Sequence, residues 1–159
     1  MQFKEEKELA GDKETEKELS WSQALRINSE LLPEGVSRNQ LQQLSPGALA
    51  YLGDAVYELY IRMSYLLPPQ RLDNYHGLVV AKVRGETQAK ILKAILPCLT
   101  ANELDIVRRG RNACSGRPKR LKPEIYQQAT SLETLIGYLY LTDRERLSEL
   151  LTNVIFNLE

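Results

Sequence analysis

The sequence predicts an all-α protein, a helical bundle organised around two central helices. Apolar residues recur at steps of three and four through most of the chain, which is the period of one helical face. No stretch alternates apolar and polar residues with turn chemistry at its ends, so no sheet is expected. Serine, threonine, proline and glycine fall where such helices would start and stop.

The 159 residues suffice for one domain with a sizeable core. With 43% hydrophobic and 26% charged residues, the composition is that of a globular protein. No apolar run approaches the roughly 20 residues that span a bilayer, and the charged N-terminus lacks a signal-like apolar segment. A cytoplasmic protein with no membrane partner is expected. Cys98 and Cys114 are the only cysteines, and there is one histidine. These cannot make a usual four-ligand zinc site, and both cysteines read as free thiols.

Taken in order, residues 1–20 are rich in Glu and Lys with no apolar face. They read as a flexible charged arm, and residues 21–159 as the folded domain. Residues 21–32 suit a short helix, capped by Ser20 and stopped by Pro33-Glu34-Gly35. Residues 37–44 lead into a long helix over about 45–67, with Ser45 as N-cap and Pro46 at the first helical position. Leu49, Leu52, Val56, Leu59, Met63 and Leu66 form its expected core stripe. Asp73 or Asn74 caps one helix running to about Leu96, ended by Pro97. Thr100 caps the next, to about Arg109, with Gly110 as its stop. Residues 112–123 read as a loop with two prolines. A helix then begins at Glu124 or Ile125 and passes through residues 129–141, and a last one covers about 143–156.

Two helices stand out because they are apolar on nearly every side, and such helices are buried on nearly every side. One carries Asp54 and Glu58, four residues apart and so on one face. In the other, Glu133 is the only acidic or basic group of residues 129–141. Carboxylates in apolar surroundings are usually paired or metal-bound. Asp54 points away from the expected stripe, so two central helices can bring it to Glu133 as a hard-cation site. The plainer alternative is that each acid is a polar residue at a helix end or groove. Glu58 has two readings, a further metal-site carboxylate or a surface partner of Arg62.

Formal net charge is zero, which argues mildly against a nucleic-acid partner. The distribution matters more. Arg108, Arg109, Arg111, Arg117, Lys119, Arg120 and Lys122 lie within fifteen consecutive residues that contain no acid, and a local patch steers a polyanion without a basic whole. Asn112 lies among them. Lys82 and Arg84 form a second, sparser candidate for RNA contact. The alternative for each group is solvated surface charge.

Leu52-Gly53-Asp54-Ala55-Val56, followed later by Glu133-Thr134-Leu135-Ile136-Gly137, resembles the catalytic domain of ribonuclease III. Arg109-Gly110-Arg111-Asn112-Ala113 with Ser115-Gly116, and Leu135 to Leu141 as Leu-Ile-Gly-Tyr-Leu-Tyr-Leu, narrow the resemblance to its short Mini branch. That branch lacks a double-stranded-RNA-binding domain. The resemblance covers roughly residues 41–156. It implies the ribonuclease III helical fold as a twofold homodimer and a metal-dependent endoribonuclease acting on double-stranded RNA. Asp54 and Glu133 would be catalytic ligands of Mg2+. The implied substrate is the paired ends of large-subunit (23S) ribosomal RNA precursor. Two of the four carboxylates of typical ribonuclease III are absent, since their positions are Ala50 and Thr130 here; the Mini branch shares both losses. With the last helix ending near Glu159, RNA affinity is expected to come from the catalytic domain itself. Two other readings remain beside this one. The first is a catalytically silent RNA-binding module in ribosome assembly, and the second is a helical protein-interaction domain unrelated to RNA.

Overall fold

A computed structural model of the chain describes residues 35–114 and 120–155, the last two without their side chains. The expected arm and the expected helix over 21–32 lie outside the described residues, as do Arg117 and Lys119. Among the described residues the fold is all-α with no strand.

The helices are α1 (Arg38–Gln43), α2 (Pro46–Ser64), α3 (Leu72–Val83), α4 (Gly85–Ile95), α5 (Ala101–Asn112), α6 (Pro123–Thr142) and α7 (Arg144–Ile155), with a 3-10 turn at Leu96–Cys98. Helix α6 is the hub. It packs most extensively on α2, and also on α5 and α4. Its buried residues Leu132, Leu135, Ile136 and Leu139 fill the centre. None of the described helices is long and apolar enough to cross a membrane.

Capping chemistry sets many of the boundaries. Residues 37–44, read only as a lead-in, contain α1, closed by a capping box between Ser37 and Gln40. Ser45 Oγ accepts from the Ala48 amide at 3.1 Å and Pro46 opens α2. Thr100 and Glu103 form a second capping box at α5. The Asp143 carboxylate accepts from the Arg146 amide at 2.9 Å at the start of α7.

The single helix expected from Asp73 to Leu96 is two helices. Arg84 is in an extended conformation, φ −64° and ψ 149°, and serves as both the C-cap of α3 and the N-cap of α4. Side chains from α4 satisfy carbonyls freed at the break. Thr87 Oγ1 donates to Ala81 O at 2.7 Å and Gln88 Nε2 to Val83 O at 3.0 Å. Gly85 lets Leu121 approach, because a Cβ there would lie 2.9 Å from its Cδ1.

Gly110 does not stop α5, which runs on to Asn112. A Cβ on Gly110 would stand 2.5 Å from Thr134 Oγ1 and 3.2 Å from Ser131 Cα. Its role is close passage of α5 over α6.

The buried face of α2 also differs from the expected stripe. Leu49, Ala50, Gly53, Val56, Tyr57, Tyr60 and Ile61 are buried, whereas Leu59 is 48% and Leu66 54% exposed. Helix α6 meets α2 at Gly53, where the absence of a side chain allows the nearest approach, and the buried face is centred there. Within one chain α2 is therefore not covered on every side. Tyr51 is 86% exposed, and Ala55 is exposed beside it.

Candidate active site

The crossing of α2 and α6 positions the two acids. A Cβ on Gly53 would lie 1.8 Å from the carbonyl oxygen of Glu133, and one on Gly137 would lie 2.0 Å from that of Leu49. The two backbones are in direct contact. Asp54 follows Gly53, and Glu133 precedes Gly137 by one helical turn, so both carboxylates fall at the mouth of the crossing. They line one open pocket of about 300 Å³. Helix α2 contributes Gly47, Ala50, Tyr51 and Asp54, and α6 contributes Tyr126, Thr130 and Glu133. Ala113 and Cys114, just past α5, close one end.

The electrostatics of the pocket are unbalanced. Burial, and then the negative charge of Asp54, push the Glu133 carboxyl up to about 7, with the nearby Gln88 amide acting the other way. Asp54 is raised as well, by desolvation and then by Glu58. Asp54 is exposed where it lines the pocket. Among the described residues, no Lys, Arg or His lines the pocket. Two neighbouring carboxylates, with no cationic side chain lining their pocket among the described residues, suit a bound divalent cation. Mg2+ takes oxygen ligands, commonly one or two carboxylates with water completing its shell, so the residues present fit that ion.

The other expected site residues are placed as follows. Glu58 does not line the pocket; its carboxylate pairs with Arg62 one turn on, on the surface. Arg108, Arg109, Arg111 and Asn112 belong to α5, which runs past the expected end at Arg109 to take in Arg111 and Asn112, and all four are exposed. Arg108 pairs with Asp105 from the preceding turn. Arg111 and Asn112 immediately precede the two residues that close the pocket, so the basic segment abuts the carboxylates. Arg120 is exposed. Lys82 and Arg84 do not line the pocket. The Lys82 carbonyl accepts from Tyr57 Oη at 2.9 Å, and Arg84 Nε lies 3.4 Å from Thr87 Oγ1. Cys98 and Cys114 are free thiols.

Ala50 and Thr130, the positions where typical ribonuclease III carries its other two acids, both line this pocket. Among the described residues no three potential ligands of the His, Cys, Asp and Glu types cluster as a metal site. Sequence reasoning missed Tyr126 and Gln88. Tyr126, Thr130 and Glu133 are spaced by four and three, one face of α6, and that spacing was a usable signal. Gln88 occupies a core position in the pattern Gln88, Ile91, Leu92, Ile95, where a polar residue is itself unusual.

Residues 47–144 match the family model of the Ribonuclease III domain. The chain is 60% identical to a Mini-ribonuclease 3 of Synechocystis sp., over 70% of this chain and 78% of that protein. It is 51% identical to a Mini-ribonuclease 3 of Thermosynechococcus vestitus, over 76% of this chain and 80% of that one. The fold is similar to the crystal structure of a Fusobacterium nucleatum protein, with a TM-score of 0.68 and 33% identity, covering 72% of this chain and 96% of that one. Together with the paired acids at the α2–α6 crossing, these matches show that the chain belongs to the ribonuclease III family, in its Mini-ribonuclease 3 branch, and is an endoribonuclease.

Proposed function

We propose that this endoribonuclease hydrolyses double-stranded RNA at the Asp54–Glu133 pocket with Mg2+, and that it matures the paired ends of 23S ribosomal RNA precursor as a cytoplasmic homodimer. The observation that carries the reading is the meeting of two carboxylates, Asp54 and Glu133, in one open pocket. Asp54 and Glu133 would hold the ion, each fixed to its helix within a turn of the glycine crossing. When bound, Mg2+ supplies relief of charge on the scissile phosphate and a water of lowered pKa. The Tyr126 and Thr130 side chains share the Glu133 face and offer uncharged hydroxyls to substrate oxygens.

Binding would come from the neighbouring positive charge. Arg109, Arg111 and Asn112 lie on the last turns of α5, with Arg108, Arg117, Lys119 and Arg120 as further contacts along the same segment. They suit the phosphate backbone of an A-form duplex, which is recognised by shape more than by sequence. The outward side of α2 and the segment after it supports a dimer, since Tyr51, Leu59, Leu66, Leu67 and Leu72 are all exposed apolar residues. A twofold dimer presents equivalent sites to the two antiparallel strands of a duplex.

The test is incubation with 23S precursor RNA and Mg2+, with the product ends mapped, alongside Asp54→Asn. Cleavage in the paired ends by the wild type and none by the variant is expected. Duplex binding without cleavage by the wild type would instead favour the silent binding module. Sedimentation at micromolar concentration should give a dimer, and an active monomer would overturn that part of the reading.

A further inference from the structure

The pocket is larger than its two carboxylates fill. Ala50 precedes Asp54 by one turn of α2, and Thr130 precedes Glu133 by nearly one turn of α6, so each shares a helix face with its acid. All four line the pocket. Where a further acid could stand on either face, the chain has a methyl group or a hydroxyl.

The ligand count limits what the pocket can hold. Many phosphodiester-cleaving sites use two divalent cations side by side, which together carry four positive charges. Asp54 and Glu133 supply two negative ones. Tyr126 and Thr130 add only neutral hydroxyls, and Cys114 adds sulfur, which Mg2+ does not favour. Among the described residues no third acid, histidine or cysteine joins the pair as a metal cluster. Residues 115–119, which follow Cys114, contain none of these either. One Mg2+ with one or two carboxylates and a shell of water is well served. A second beside it would have no carboxylate of its own, and the repulsion between the two ions would go uncompensated.

We infer that the chain by itself holds one divalent cation in this pocket, not two, and that Ala50 and Thr130 are what withhold the second. The inference rests on Asp54 and Glu133 being ligands. Charge relief beyond that one ion would fall to the basic segment that abuts the pocket, Arg111 above all.

The test titrates the full chain with Mn2+ alone, without RNA, at pH 8. Free Mn2+ is measured by its electron paramagnetic resonance, and bound ion is expressed per folded chain, with Mg2+ as competitor. The pocket's count is the number of Mg2+-displaceable ions that wild type binds and that Asp54→Asn and Glu133→Gln do not. It should be one. Ala50→Glu combined with Thr130→Asp should raise it to two, since both positions already line the pocket. Thr130→Asp alone, a near-isosteric change at a half-buried position, should admit the second ion more weakly and serves if the double variant does not fold. A count of two in wild type would overturn the inference while keeping Asp54 and Glu133 as ligands. A count that stays at one in every folded Thr130→Asp chain would overturn it as well, because Ala50 and Thr130 would then not be what limits the site. No bound ion in wild type, or full retention in both acid variants, would instead overturn the reading of the two acids as ligands, and the count with it.

Discussion

Gly53 and Gly137 face each other across the crossing of α2 and α6, each occupying space where a side chain would penetrate the backbone of the opposite helix. A Cβ on Gly53 would lie 1.8 Å from Glu133 O, and one on Gly137 would lie 2.0 Å from Leu49 O. Since the obstacle is backbone rather than a mobile side chain, the helices themselves would have to separate. Gly53→Ala and Gly137→Ala should each destabilise the fold by about 3 kcal/mol, and the parting of Asp54 from Glu133 should reduce cleavage even where the protein folds. Gly47→Ala is the contrast, since its Cβ would meet only Ser45 Oγ at 3.9 Å. Its stability should match or slightly exceed wild type. Chemical denaturation of the three variants checks this, and equal losses in all three would contradict it.

Metal and pH should be linked through Glu133. Its carboxyl is raised to about 7 in the fold from an ordinary value of 4.5. A raised acid contributes stability that is fully present below the unfolded value and is lost as pH rises through the folded one. Metal-free stability should therefore fall between about pH 4.5 and 7.5, and Asp54 acts in the same direction. A cation offsets the repulsion only where the acids are ionised. Mg2+ should raise the melting temperature more at pH 8 than at pH 5.5, and the difference should vanish in Glu133→Gln. Melting curves with and without Mg2+ at the two pH values check it, and equal shifts would remove Glu133 from the site.

The end of α5 should set the salt dependence of RNA binding. Arg109 and Arg111 are exposed, whereas Arg108 is already paired with Asp105. Arg109→Ala with Arg111→Ala should weaken duplex binding with stability within about 0.5 kcal/mol of wild type. The log–log salt slope should become shallower by roughly 0.9 per lost phosphate contact, taking duplex DNA as the guide. Binding across a salt series is the measurement, and an unchanged slope would place the RNA track elsewhere.

Arg146 and Glu103 should form the main electrostatic contribution to stability. Glu103 is 4% exposed, and Arg146 meets it at 2.9 Å while also donating to Cys98 O at 2.7 Å. Hydrogen bonding from Arg146 is the first cause holding the Glu103 carboxyl below its usual range. Arg146→Met leaves that charge buried and unpaired and should cost about 3 kcal/mol. The sign with pH follows from the lowered value. The pair's contribution is present above the unfolded pKa of Glu103 and lost as pH falls through the folded one. Wild type should lose stability there faster than Arg146→Met does, and parallel pH–stability curves would show that the pair contributes little.

The sequence by itself determined the fold class, the starts of α2 and α5, and the two acids that stand out in apolar helices. Each of these is written in local chemistry. Ser45 with Pro46 and Thr100 with Glu103 cap their helices with neighbouring groups, and Asp54 and Glu133 stand out against apolar surroundings without reference to any partner. What depended on approach between distant segments was decided only by the tertiary structure. Gly110 read as a helix stop because glycine usually ends helices, but contact with Thr134 and Ser131 shows it to be a crossing point. The break at Arg84 is not visible in apolar periodicity, because its freed carbonyls are satisfied by Thr87 and Gln88 from the next helix. The face of α2 was misread for the same reason. Periodicity follows the bulk of Leu52, Leu59 and Leu66, whereas packing follows the absence of bulk at Gly53, opposite Gly137. That contact lies between helices far apart in the chain, and it turns two isolated acids into one pocket.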